Sequence, residues 1–197
     1  MRVLISFSGI DGVGKSTQVK LLLEHLRSRG KKAHVTEEMF GYFLLKPLIP
    51  LLRVATDSPS GGPVKRNRKF LPKLWFIPAF IDIWASYIFK IRPMLTKYDF
   101  VIADRFYTDI WANLFYYGYL PGWAFGSFVK LLPRSDKAFM LWVKPEVVLR
   151  REREFSPEYY KEQAKIYKYM TGQVSFRIIN AGKGPKVVFG EIKKLLD

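Results

Sequence analysis

The stretch Gly9-Ile10-Asp11-Gly12-Val13-Gly14-Lys15-Ser16-Thr17 constrains this chain more than any other. It satisfies G-x-x-x-x-G-K-[ST] and follows at once on the apolar run Val3-Leu4-Ile5-Ser6-Phe7. Residues 16–29 then place Val19, Leu22, Leu23 and Leu26 at helical spacing before the stop at Gly30. A buried strand that enters a glycine loop and leaves through a helix N-terminus aims a row of backbone N–H groups at one anion, and glycine lets the main chain wrap it closely. Phosphate is the ligand this arrangement suits. Gly9, Ile10, Asp11, Gly12, Val13, Gly14, Lys15, Ser16 and Thr17 form the binding loop, with Lys15 reaching the β- and γ-phosphates of ATP and the Ser16 hydroxyl ligating Mg²⁺. An ordinary strand–turn–helix needs glycine only in the turn and has no use for the lysine–serine pair at the helix start.

The rest of the chain continues the alternation. Strands are predicted at 32–36, 100–103 (ending in Asp104), 138–143 and 176–180. Helices are predicted from about Pro78 to Tyr98 and over 106–118, 122–132, 145–153, 157–171 and 185–196. Residues 44–73, interrupted by Pro and Gly, read as irregular. Alternating strands and helices imply an α/β fold, a P-loop three-layer sandwich with a five-stranded parallel sheet covered on both faces. Ligands then bind beyond the carboxyl ends of the strands, where Gly9–Thr17, Glu37-Glu38 and Asp104-Arg105 all fall.

A chain of 197 residues reads as one domain with one core, carrying a lid at about 150–158. With no cysteine it has neither disulfides nor thiolate metal sites, which suits a reducing, cytoplasmic location. Its start runs straight into the first strand without a signal-peptide pattern. The most apolar stretch, Leu74 to Phe89, is interrupted by Pro78 and Asp82 and falls short of the ~20 apolar residues that span a bilayer, so it reads as a buried helix.

The formal net charge of +16 is unevenly spread: residues 39–98 hold ten basic residues against only Asp57 and Asp82. The centre of this third is Lys65-Arg66-Asn67-Arg68-Lys69. An anionic partner (nucleic acid or an anionic membrane surface) is one reading, and a solvated basic loop on a nucleotide enzyme is the plainer one.

Two further features bear on chemistry. A carboxylate at a strand end facing a phosphate loop holds Mg²⁺ or positions an attacking oxygen, and a neighbouring arginine clamps phosphate bidentately; Asp104-Arg105 has this form. Asp104 is equally suited to cap the helix that follows. Arg150-Arg151-Glu152-Arg153-Glu154 reads as a lid whose arginines close over the transferring phosphoryl group, or as an exposed helix end with paired charges.

These motifs together resemble the thymidylate kinase family. The phosphate loop carries the family's internal acid, Asp11. Ile91-Arg92-Pro93 keeps the family's spacing to Asp104-Arg105-Phe106, and Lys144-Pro145-Glu146 with Leu149, Arg151 and Arg153 is similar to its P-E-x-x-L-x-R segment. The resemblance implies that Asp11, Lys15, Asp104, Arg105, Arg151 and Arg153 are catalytic. It also implies that Arg151 and Gly182, in the Asn180–Pro185 connection, lie against the nucleotide, and that Ser16 and Asp104 hold the metal. By the same resemblance Glu38, Phe80, Asp82, Arg105, Asp109 and Asn113 contact a nucleoside monophosphate acceptor, and the protein is a homodimer.

The departures fall on the acceptor side. Where the family has T-R-E-P this chain has Thr36-Glu37-Glu38-Met39, and where it has F-x-x-D-R this chain has Ala79-Phe80-Ile81-Asp82-Ile83. Two phosphate-binding arginines are thus absent. Phosphorylation of dTMP to dTDP is the activity the resemblance implies. The alternatives are transfer to another nucleotide, a sugar or a lipid-linked group, and a nucleotide-dependent binder of nucleic acid or an anionic surface.

Overall fold

A computed structural model describes residues 2–38, 42–55, 71–151 and 154–196. Five parallel strands, β1 (Val3–Ser8), β2 (Ala33–Glu37), β3 (Phe100–Asp104), β4 (Lys137–Trp142) and β5 (Arg177–Asn180), form one sheet in the order β2-β3-β1-β4-β5. Every residue of β1 is buried. This is why the strand reads as a continuous apolar run and not as an alternation: helices cover both of its faces. On one side β1 pairs with β3 (Phe7 opposite Asp104), and on the other with β4 (Phe7 opposite Phe139), whose rings stack at 5.3 Å. The chain therefore winds outward in two directions from β1, and the crevice at its carboxyl end is where such sheets take ligands.

The helices are α1 (Lys15–Ser28), α2 (Ile49–Ala55), α3 (Phe76–Ser86), α4 (Arg92–Lys97), α5 (Tyr107–Tyr116), α6 (Gly122–Val129), α7 (Pro145–Arg151), α8 (Pro157–Thr171) and α9 (Pro185–Lys194). α1 buries Val19, Leu22 and Leu26, as its spacing requires. Ser156 caps α8 by accepting from the Tyr159 N–H at 3.2 Å, with Pro157 at the first helical position. Within the segment expected to be irregular, a 3₁₀ turn at Lys46–Leu48 leads into α2. The basic run Lys65–Lys69 lies outside the described residues.

The segment before β3 departs most from expectation. Its helix α3 begins at Phe76, two residues before Pro78, and the helical run ends at Lys97, close to the expected bounds. A 3₁₀ turn at Leu71–Trp75 leads into α3, and a π-helical turn at Tyr87–Ile91 joins α3 to α4. It is not a buried helix. Lys73–Lys97, 25 residues, is by length and composition long and apolar enough to cross a bilayer, and only 39% of its most apolar window is buried. Ala79, Ile83 and Ile91 face the core, while Leu74, Ile77, Ile81, Trp84 and Ile88 face outward.

Candidate active site

The phosphate loop is built by backbone geometry. Gly9 adopts φ 140°, and a Cβ there would lie 2.5 Å from the Leu141 carbonyl oxygen of the neighbouring strand, so only glycine lets β1 turn into the loop. Gly14, at φ 97°, then starts α1. The Lys15 ammonium folds back onto the loop, donating to the carbonyls of Gly9 (2.7 Å) and Ile10 (2.8 Å), and is only 4% exposed. Burial, helped by the charge of Arg105, lowers its pKa to about 8, against the opposing pull of Asp11, Asp109 and Asp104.

Asp104 and Arg105 arrive at this loop from β3. Arg105 is a non-glycine residue at φ 68°, a turn that swings its side chain out of the strand direction, and its N–H bonds the Phe7 carbonyl at 3.0 Å. Its guanidinium forms an ion pair with Asp11. The Tyr159 hydroxyl, from the first turn of α8, donates to the other Asp11 oxygen at 2.7 Å. Burial alone would raise the Asp11 pKa; the charges of Lys15 and Arg105 and these two hydrogen bonds outweigh it and hold the carboxyl below its ordinary value. Asp104 does not cap the following helix. Phe106 occupies the N-cap, and Asp109 reaches back to its N–H at 3.0 Å. The Asp104 Oδ1 atom is instead buried without a hydrogen-bond partner among the described residues.

That orphaned oxygen fits a cation. No group of three or more His, Cys, Asp or Glu side chains among the described residues forms a metal cage. Mg²⁺ suits such a sparse site, because it keeps several waters and takes one or two protein ligands beside substrate phosphates. Asp104 and the exposed Ser16 hydroxyl are the protein groups suited to that role.

Asp109 and Asn113, implied as acceptor contacts, are engaged inside the protein. Asp109 is 0% exposed and accepts from the hydroxyls of Ser8 (2.6 Å) and Tyr167 (2.7 Å) and from the N–H groups of Phe106 and Gly9 (3.4 Å). It joins the start of the phosphate loop to α5 and α8. Asn113, one turn on, accepts from the Gln163 amide of α8 at 3.0 Å. Tyr159, Gln163 and Tyr167 carry no motif, and nothing in the sequence announces them.

Glu38 is buried just past β2, where Thr36 (2.5 Å), Ser86 (3.1 Å) and the Lys90 ammonium (2.8 Å) all reach it. Asp82 accepts from the N–H groups of Phe43 (2.9 Å), Leu44 and Leu45 (2.9 Å), pinning that turn to α3. Phe80 packs at ring-centroid distances of 5.3 Å and 6.0 Å from Phe128 and Trp111. The Arg151 guanidinium donates to the Ala181 carbonyl at 3.2 Å, which brings the end of α7 beside Gly182. The Gln18 amide of α1 donates to the Pro185 carbonyl at 3.1 Å, tying the same connection to the phosphate-loop helix. Arg153 lies outside the described residues.

No protein-family profile matches the chain. Curated relatives do. A thymidylate kinase of Bifidobacterium longum subsp. infantis is 35% identical over 105 residues, 53% of this chain and 42% of that protein, so the chain matches less than half the length of this relative. Alignments with the thymidylate kinases of Symbiobacterium thermophilum (25% identical, 100% of this chain and 94% of the other) and Thermosipho melanesiensis (28%, 99% and 98%) run nearly end to end. The chain is similar to thymidylate kinases along its whole length. A crystal structure of thymidylate kinase from Ehrlichia chaffeensis, 22% identical, matches the fold with a TM-score of 0.64 over 100% of this chain and 99% of that one, bearing out the three-layer P-loop architecture. Against the family's acceptor motifs, Ile83, where an arginine is absent, is 2% exposed within the core. Lys90 is the cation that this helix sends to Glu38 instead.

Proposed function

We propose that the protein transfers the γ-phosphoryl group of ATP to dTMP, giving dTDP. Its similarity to thymidylate kinases supports the reaction class. The observation that carries the assignment to this site is the register of β3 on β1, which sets Asp104 and Arg105 against Phe7 and the loop it enters. A triphosphate seated on the loop's N–H groups offers Lys15 charged oxygens in place of the Gly9 and Ile10 carbonyls. Arg105 clamps phosphate through its planar guanidinium, and Asp104 orients the acceptor oxygen for in-line attack. Ser16 and Asp104 would hold Mg²⁺ beside the phosphates, where it would offset the negative charge that develops during transfer. Arg151 and Gly182 flank the nucleotide, and Arg153 closes over the transferring group. Glu38, Asp82 and Phe80 shape the acceptor side. The reading includes a homodimer and a cytoplasmic location.

The test is ADP release from purified protein with ATP, Mg²⁺ and each nucleoside monophosphate in turn, with thermal shift for binding. ADP release that depends on dTMP is expected. Its absence at saturating dTMP, with another monophosphate turning over, overturns the acceptor assignment.

A further inference from the structure

Asp11 places a carboxylate inside the phosphate loop, and its side chain is only 11% exposed. Three groups satisfy it. One oxygen takes the Arg105 guanidinium and lies 4.0 Å from the Lys15 ammonium, while the other accepts from the Tyr159 hydroxyl at 2.7 Å. The two cations are also the groups that a triphosphate claims. Lys15 gains charged oxygens in place of the loop carbonyls it now holds, and Arg105 gains a phosphate to clamp.

Tyr159 differs from both. It is neutral, and burial together with the Asp11 charge raises its pKa above the ordinary tyrosine value, so its proton stays on the oxygen at neutral pH. Its ring is fixed from two sides. Phe155 stacks on it at 4.3 Å, and Tyr116 of α5 meets it edge-on at 5.0 Å. The Ser156 cap accepts from its backbone N–H and holds the first turn of α8 in place. A side chain packed in this way has little rotamer freedom left to lose when it donates.

A carboxylate this buried is costly to leave without donors. Lys15 and Arg105 cannot give the same N–H groups to Asp11 and to a phosphate at once. Once they turn to the phosphates, the hydroxyl of Tyr159 is what still holds the acid. We infer that Tyr159 is a positioning residue of the nucleotide site: it keeps Asp11 by its second oxygen while Arg105 and Lys15 cross from that carboxylate to the phosphates of ATP. No atom of Tyr159 touches the nucleotide in this role. Its hydrogen bond counts for more with the nucleotide bound, because before binding Asp11 also has Arg105. The inference deepens the phosphoryl-transfer reading and rests on its ATP half alone, whatever the acceptor.

The test is the Kd of a non-hydrolysable ATP analogue with Mg²⁺, measured on the full chain by titration calorimetry, which needs no acceptor. Tyr159→Phe keeps the ring and both of its aromatic contacts and removes only the hydroxyl. It is expected to weaken the analogue about fivefold or more, the scale of a hydrogen bond to a buried charge. Asp11→Asn removes the charge that the hydroxyl serves and takes a negative charge away from the phosphates, so binding persists. In that background Tyr159→Phe is expected to change Kd by well under about fivefold, whereas a tyrosine that merely packed α8 would act alike in both. A change below about fivefold in the native background overturns the proposal, and so does a change of about fivefold or more in the Asp11→Asn background. Native protein that binds the analogue but transfers nothing to dTMP sinks the acceptor assignment and leaves this comparison readable. Native protein that does not bind the analogue overturns both.

Discussion

Asp109→Asn keeps the shape of a fully buried side chain and removes its charge and one of its two acceptor atoms. Four donors converge on the carboxylate. The cheaper orientation of the substituted amide leaves its oxygen on Ser8 and the Phe106 N–H and turns its NH₂ group toward Tyr167 and Gly9. The Tyr167 hydroxyl can rotate to accept; the Gly9 N–H cannot, and it is left buried without an acceptor. An orphaned buried donor costs about 1–3 kcal/mol, and losing the charge from the remaining bonds adds about 1 kcal/mol, so about 2–4 kcal/mol is expected. For a domain of this size that lowers Tm by roughly 4–16 °C. Thermal denaturation monitored by circular dichroism reads it, with the KM for dTMP measured in parallel. Gly9 begins the phosphate loop, so the KM for ATP rises as well. If Asp109 instead contacts the acceptor, the KM for dTMP rises while Tm stays within about 2 °C, and that result refutes the argument from buried donors.

Further expectations follow from the site. Lys15→Ala abolishes transfer while preserving the fold. In the native protein, kcat/KM for ATP falls as pH rises past about 8, where free Lys15 loses its proton. Because the folded state disfavours the charged form, this residue's destabilising contribution below about pH 8 is relieved as pH rises toward the unfolded lysine value, so stability and activity move in opposite directions with pH. Asp104→Asn lowers kcat far more than it raises the KM for ATP, and unchanged kinetics would remove Asp104 from metal and nucleophile alike. At least one of Arg151→Ala and Arg153→Ala lowers kcat by about tenfold or more at unchanged Tm, read by single-turnover kinetics; if neither does, the segment is only a charged helix end.

The strands were readable because a parallel strand buried on both faces leaves successive apolar residues, as in Val3-Leu4-Ile5 of β1 and Phe139-Met140-Leu141 of β4. The loop and the strand-end acid and arginine were readable because each lies in a short local pattern. What escaped was set by distant contacts. Tyr159 meets Asp11 across 148 residues and Tyr167 meets Asp109 across 58, and nothing local marks either tyrosine. The outward stripe of the helix before β3 escaped for another reason. Both of its faces are apolar, and periodicity alone does not say which one the core takes. At Asp104, capping and chemistry were equally open from sequence, and the position of Asp109 three residues into α5 removes the capping role.

The arrangement around Asp11 explains why an acid sits inside a loop meant for anions. Lys15 and Arg105 are close enough that each disfavours the other's charge, and burial removes the water that would screen them. Arg105 also adopts a left-handed backbone conformation that costs about 1–2 kcal/mol at a residue bearing a Cβ. A counter-charge between the two cations offsets both costs, and Asp11 supplies it, kept ionised by the same neighbours and by Tyr159. The guanidinium is thereby held at the mouth of the loop, already desolvated and oriented, and its exchange from one carboxylate to a phosphate replaces one charge-assisted pair with another. Tyr159 stays on the second oxygen of Asp11, so the acid keeps a donor when Arg105 leaves it. Because that tyrosine lies in the first turn of α8, this hydrogen bond ties the start of the helix to the phosphate loop.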